Sequence, residues 1–163
     1  MAAKEKPVMD EQPVTCTISE GIATLVLQRP SGYNTLQSNT IAALHALLNE
    51  LADDAGARVI VIASTGKAFS TGHDLKEMAA SGDEMFYRQL LSDCSAMMQA
   101  IVAQPQPVIA QVQGIATAAG CQLVASCDLA VAGRSARFAT NGIQNGLYCA
   151  TPSVAVGRVV GRK

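Results

Sequence analysis

Apolar positions along the chain follow two periods, and each marks a kind of element. Residues 14–18 and 22–27 are rich in β-branched residues, and Ser19-Glu20-Gly21 between them is a turn, so the spacing predicts a β-hairpin. Over 38–52 the period changes. Ile41, Leu44, Leu47, Leu48 and Leu51 fall on one helical face, and Asp53-Asp54-Ala55-Gly56 ends the helix. His45 lies off that stripe and reads as a surface residue. Residues 58–63 are continuously apolar, as in a strand covered on both faces. Residues 64–75 form a long loop, after which Asp74 caps a short helix. A longer helix spans 83–104, with Phe86, Leu90, Cys94, Met97 and Ile101 on its buried stripe, and Pro105 and Pro107 stop it. A strand at 108–112, a run of small residues at 116–120 and a short buried helix at 121–126 follow. A buried strand at 129–132 comes next, then the start of another at 135–139, a loop over 140–152 and a helix opening at 153–163. Strands alternating with helices predict an α/β class with a largely parallel sheet.

Composition narrows the function classes. The chain has 163 residues, 49% of them hydrophobic, and a net charge of −1. That suits one globular core domain over 14–163 with a flexible tail at 1–13. The absence of a Lys/Arg run argues against nucleic acid as a partner. No apolar stretch is long enough to span a bilayer. The opening MAAKEKPVMDEQPV carries neither a secretory nor an organelle-leader pattern, so a cytoplasmic location is expected. The five cysteines form no CxxC pair and read as reduced core residues. With two histidines and no H-x-x-x-H, no metal site is expected. The glycine-rich nucleotide loops and the G-x-S-x-G elbow are absent.

Two stretches carry candidate chemistry. In 108–128 a strand runs through Gly114 and small residues into a helix. The first N–H groups of a helix have no partners inside it and suit a negatively charged oxygen. Small residues there also serve simply to pack helix on sheet, and the stretch alone favours that reading. The 64–75 loop leaves the end of a buried strand, where α/β sheets usually bind ligands.

Taken together these stretches are recognisable. Ala68-Phe69-Ser70-Thr71-Gly72-His73-Asp74-Leu75, then residues 107–114, Gly120-Cys121-Gln122-Leu123 and Cys127-Asp128 resemble the crotonase family of enoyl-CoA hydratases and isomerases. Arg29-Pro30 with Asn34 and Leu36 resembles the family's early element. Within the family the chain is most similar to the enoyl-CoA hydratase domain-containing group. The resemblance implies a crotonase-like spiral of ββα repeats, assembled as trimers or hexamers, that binds acyl-CoA thioesters of the kind fatty acid metabolism handles. It implies an oxyanion hole formed by the backbone N–H groups of His73 and Ala119, Ala119 standing where glycine is usual. It also implies CoA contacts along Ala68, Ser70, His73, Asp74, Leu75 and Lys76. Tyr148 is a candidate proton donor or cover for the acyl group. No cofactor is implied beyond the CoA thioester itself, as substrate or ligand.

The departures from the family pattern bear on activity. Hydratases of the family use two glutamates, and here those positions are Gln122 and Gly142. Neither exchanges a proton near neutral pH, so ordinary hydration is expected to be absent or very slow. Restoring an acid at 142 meets a further obstacle if that glycine has a positive φ. His73, Gln122, Asn141, Tyr148 and Cys149 are the replacement candidates nearby; His73 reads at least equally as a loop residue whose backbone alone matters, Tyr148 as cover for the acyl group, and Cys149 more as an inert buried thiol than as a nucleophile. The family continues into helices beyond this chain's last residues, so a C-terminally short form with an apolar surface buried by self-association is expected. Two function classes follow. One is an acyl-CoA enzyme with altered chemistry, and the other is a non-catalytic CoA-thioester binder or scaffold.

Overall fold

The computed structural model describes residues 12–161. Most of the tail expected at 1–13, and the last two residues of the helix expected to open at 153, lie outside the described residues. Pro13 already belongs to the folded part, since its carbonyl accepts the Gln28 N–H at 2.9 Å.

Strands β1 (Val14–Ser19) and β2 (Ile22–Leu27) form the expected hairpin, with Val14 opposite Leu27 and Ser19 opposite Ile22. Glu20 (φ 52°) and Gly21 (φ 83°) are both left-handed, which matches the right-handed twist of the strands they join. Helix α1 (Ser38–Ala52) carries β2 over to β3 (Val59–Ser64), which pairs with β2 in parallel. Beyond β3 come β4 (Ala68–Ser70), α2 (Leu75–Ser81) and α3 (Glu84–Val102). The chain continues through β5 (Val108–Val112), β6 (Ile115–Thr117), α4 (Ala119–Ser126), β7 (Leu129–Ala132), β8 (Arg137–Ala139) and α5 (Ala150–Val159). One sheet has the order β1-β2-β3-β5-β7, parallel except for the hairpin, and a second has the order β4-β6-β8. The core lies between the larger sheet and helices α1 and α3, where Leu25, Leu44, Leu48, Ile60, Ile62, Met97 and Ile101 are buried.

Four expectations need correction. The strand at 129–132 is not buried. All four of its residues are exposed, because β7 is the outermost strand of its sheet and pairs with β5 alone. An apolar run predicts burial only if both faces are covered. The second sheet was not anticipated, since strands of three residues are too short to show a period. Finally, α5 begins at Ala150 instead of 153, and a 3-10 turn at Gly142–Asn145 interrupts the expected loop. His45, read as a surface residue, is half-buried.

Asn34 ties the early loop to the site-bearing one. It is buried, with φ at 52°. Its Oδ1 accepts the Arg29 N–H at 2.8 Å, and its Nδ2 donates to the carbonyls of Thr65 at 2.7 Å and Ala68 at 2.9 Å. Asparagine tolerates the left-handed region better than alanine does. Asn34→Ala is therefore expected to cost about 2–4 kcal/mol of stability, the usual net worth of three hydrogen bonds. Urea unfolding tests this, and a midpoint equal to that of the parent chain would show that these bonds contribute nothing.

Candidate functional site

The site forms where β4 and β6 release the chain. From Ser70 the chain passes Gly72, whose φ is +85°. A Cβ at Gly72 would lie 2.9 Å from the Ala119 nitrogen and 3.0 Å from the Ala118 Cβ. On the facing helix, a Cβ at Gly120 would lie 2.2 Å from the Ser70 carbonyl oxygen. Two missing side chains thus seat the 70–73 loop against the start of α4. Ala118 precedes the helix with φ 50° and ψ −123°, and its side chain caps nothing. Its N–H donates to the Ala139 carbonyl at 2.9 Å, and its carbonyl accepts the Gln122 N–H at 3.1 Å. These bonds hold an unusual backbone conformation at the head of α4.

This arrangement leaves two donors free. The N–H groups of His73 and Ala119 find no acceptor among the described residues. Gly72, immediately before His73, abuts the Ala119 nitrogen, so both donors belong to one small region. Ala119 opens α4 and shares the partial positive charge of a helix N-terminus.

The loop is fixed from behind. The Leu36 N–H donates to the Gly72 carbonyl at 2.8 Å, and Leu36 and His73 form an isolated parallel bridge. Asp74 caps α2, accepting from Lys76 N at 2.9 Å and Glu77 N at 3.3 Å, and also accepts from Thr35 Oγ1 and Gln37 Nε2. Burial works to raise the Asp74 carboxyl, but the hydrogen bonds from Gln37, Glu77, Lys76 and Thr35 outweigh it and hold the group below the ordinary range. Glu77 accepts from the backbone N–H and hydroxyl of Ser38.

Sequence-named residues divide into three sets. Ala68 and Ser70 are buried in β4. The Ala68 carbonyl accepts from Asn34 and Gln113, and the Ser70 Oγ accepts the Gly72 N–H at 3.3 Å, so both shape the loop from inside. Leu75 and Lys76 are exposed along the rim, and Tyr148 is 79% exposed. Gln122 is buried in the first turns of α4, and its Oε1 accepts from Thr151 Oγ1 at 3.0 Å.

Gly142 opens the 3-10 turn at Gly142–Asn145, and its φ is not left-handed, so the expected backbone obstacle is replaced by a steric one. A Cβ there would lie 2.7 Å from both the Cys149 Sγ and the Leu147 carbonyl oxygen. The Gly142 N–H donates to that sulfur at 3.3 Å. Reading the sequence alone missed Thr151 and the contorted Ala118. The small-residue run around 118 was the one signal of the latter.

The remaining thiols are not poised as nucleophiles. Burial pushes Cys94 and Cys127 up to about 12. Cys121 is raised by burial, which outweighs the Ala139 N–H on its sulfur. Among the described residues no three His, Cys, Asp or Glu side chains gather as an ion site, and no helix is long and apolar enough to cross a membrane.

The His73 ring is a second titratable group of the loop beside Asp74. Its Nε2 is enclosed without a hydrogen-bond partner. Burial lowers its pKa, and Glu77 offsets this only in part. Since the unfolded chain takes up the proton more readily, the contribution of this group to stability is intact above the ordinary value of 6.5 and is lost as pH falls below it. NMR titration is expected to give His73 a midpoint below that of an unstructured histidine. A midpoint at or above 6.5 would mean that the ring is solvated or paired.

The chain matches the family model described as enoyl-CoA hydratase/isomerase over residues 17–163. A Xenopus laevis protein named enoyl-CoA hydratase domain-containing protein 3, mitochondrial, is 44% identical over 156 residues, 95% of this chain and 53% of its own length. The human protein of the same name is 42% identical over 154 residues, 94% of this chain and 51% of its own. The crystal structure of an enoyl-CoA hydratase from Mycobacterium smegmatis aligns with a TM-score of 0.90 at 52% identity, over 93% of this chain and 60% of that one. The structure of the human enoyl-CoA hydratase domain-containing protein 3 aligns at 0.84 and 44% identity, over 92% and 59%. This chain spans about half the length of the curated relatives it matches. Those relatives are named mitochondrial, which overturns the expected cytoplasmic location. That expectation rested on a missing leader pattern, and nothing in a folded core records its compartment.

Proposed function

The chain belongs to the enoyl-CoA hydratase/isomerase family, and from that membership we propose that it binds acyl-CoA thioesters where the 70–76 loop meets α4. The observation that carries this reading is the pair of unaccepted backbone donors, His73 N–H and Ala119 N–H. They would hold the thioester oxygen, most strongly when it carries enolate charge. The CoA portion would follow the rim at Asp74, Leu75 and Lys76, with Tyr148 over the acyl group. Because the relatives are named mitochondrial, the mitochondrion is the compartment we propose.

Water addition by a carboxylate pair is not the chemistry we assign. Gln122 and Gly142 supply no acid or base, and the Cys149 sulfur crowds the space a side chain at 142 would need. This favours a non-catalytic thioester binder over a hydratase. Crotonyl-CoA should therefore keep its enoyl absorbance in the presence of the protein, and Gln122→Glu alone should not change that. Hydration at about 1–1000 per second, the range usual for enzymes, would refute the assignment.

Binding itself is checked by calorimetry with acetyl-CoA and butyryl-CoA. His73→Ala keeps the N–H and is expected to change affinity little. Ala119→Pro removes a donor, and proline is tolerated in a first helical turn, although the Ala118 conformation and the nearness of Gly72 make a folding check by circular dichroism necessary. A folded Ala119→Pro protein should lose affinity for an enolate-mimicking CoA analogue by up to about 3 kcal/mol, the usual worth of one oxyanion donor. Unchanged affinity would remove Ala119 from the oxyanion hole. A larger loss in His73→Ala would shift the role to the imidazole.

Self-association is the second part of the proposal. Leu129, Val131, Phe138 and Val159 are all exposed, and a cavity of about 380 Å³ between α4, β7, β8 and α5 is lined mainly by apolar residues. Surface of this kind is usually covered by another chain, and closed symmetric oligomers are the common outcome. Light scattering is expected to report a trimer or hexamer, and a stable monomer at working concentration would refute this.

A further inference from the structure

The two free donors, His73 N–H and Ala119 N–H, each share a peptide group with the carbonyl of the residue before them. A trans peptide group is planar, and its C=O and N–H point in opposite directions. Whatever holds the carbonyl therefore aims the N–H. For Ala119 the holder is α4 itself, since the Ala118 carbonyl accepts the Gln122 N–H at 3.1 Å. For His73 the holder is not a helix. The Gly72 carbonyl accepts the Leu36 N–H at 2.8 Å, from a segment that belongs to neither the 70–76 loop nor α4.

The surroundings of Leu36 fix that N–H in turn. Its side chain is fully buried in the core. Residues 33–37 run beside 71–74. The Thr71 N–H donates to the Tyr33 carbonyl at 3.3 Å, Leu36 forms the parallel bridge with His73, and Gln37 Nε2 donates to Asp74 Oδ2. Gln37 stands at the head of α1, yet its side chain does not cap that helix and is spent on Asp74 instead. Ser38 continues the series by donating to Glu77 in the first turn of α2. His73 is thus gripped at both neighbours, at Gly72 by Leu36 and at Asp74 by Gln37. Hydrogen bonds in series also polarise one another. A donor on the Gly72 carbonyl makes the His73 N–H a stronger donor in its turn.

We infer that Leu36 is a positioning residue of this site, whose main-chain N–H aims and polarises the His73 N–H toward the thioester oxygen, while Gln37 holds the other side of the same turn through Asp74. The inference rests on the thioester-binding reading above and adds the group that tunes one of its two donors. It makes those donors unequal. The Ala119 N–H is fixed within its own helix, whereas the His73 N–H depends on a residue far earlier in the chain. A role confined to stability would weaken every ligand alike. A role in donor strength weakens an enolate-like ligand more than a neutral thioester, because a charged oxygen draws more on a polarised peptide.

The test exchanges Leu36 for its α-hydroxy acid in the otherwise intact chain, which replaces the N–H by an oxygen and keeps the side chain. Two ligands are compared by calorimetry, with folding checked by circular dichroism. One is butyryl-CoA, and the other is a nitronate analogue of the CoA thioester, whose oxygens carry negative charge as an enolate's does. The nitronate is expected to bind about tenfold more weakly than to the parent chain, the worth of one hydrogen bond, and butyryl-CoA to lose less than about threefold. Gln37→Leu should split the two ligands in the same direction by a smaller factor. Unchanged affinities, or an equal loss for both ligands, overturn the inference, while butyryl-CoA binding by the parent chain leaves the underlying reading intact. A parent chain that binds neither ligand overturns both. If neither variant folds, amide NMR of the parent chain decides. The Leu36 and His73 N–H resonances should both move downfield with the nitronate and less with butyryl-CoA, and a Leu36 resonance that stays in place counts against the inference.

Discussion

The contact between the Gly72 backbone and the head of α4 is the constraint on which the rest depends. It exists because positions 72 and 120 carry no side chain, and any Cβ at either would strike the opposite backbone. The larger sheet brings the two segments into range. β3 and β5 pair directly, so the chains leaving their ends run side by side through β4 and β6. The early loop then braces the arrangement from behind through Asn34, Leu36 and Gln37. Most of what surrounds the site therefore serves to hold two backbone segments at a fixed separation. The donors left without acceptors there are main-chain groups, which no side-chain motif advertises.

That division explains what could be read from the sequence. The α1 helix was legible to its last residue, because Ile41, Leu44, Leu48 and Leu51 repeat at helical spacing and are all buried. The hairpin was legible because two β-branched runs flank the Ser19-Glu20-Gly21 turn. The three-residue strands of the second sheet were not, since they rest on parallel pairing between segments far apart in the chain. The reading of β7 failed for the opposite reason. Its composition is that of a covered strand, while its actual position is at the margin of the sheet. At the candidate site, resemblance to the crotonase pattern pointed to His73 and Ala119, whose N–H groups have no acceptor among the described residues, but the strain at Ala118 and the reach of Thr151 across to Gln122 depend on three-dimensional placement.

The His73 side chain illustrates how a residue can carry two separate messages. Its main chain takes part in the donor pair, whereas its ring is enclosed and kept neutral by burial. A neutral imidazole adds no positive charge to the neighbouring donors. The positive polarity of the donor pair therefore comes from the helix terminus and the two N–H groups and not from a charge on the ring.

The sulfur of Cys149 occupies the space that a side chain on residue 142 would enter, and the Leu147 carbonyl closes the other side. A side chain at 142 therefore cannot enter the packing as it stands, because position 149 and the turn at 147 would have to yield together with it.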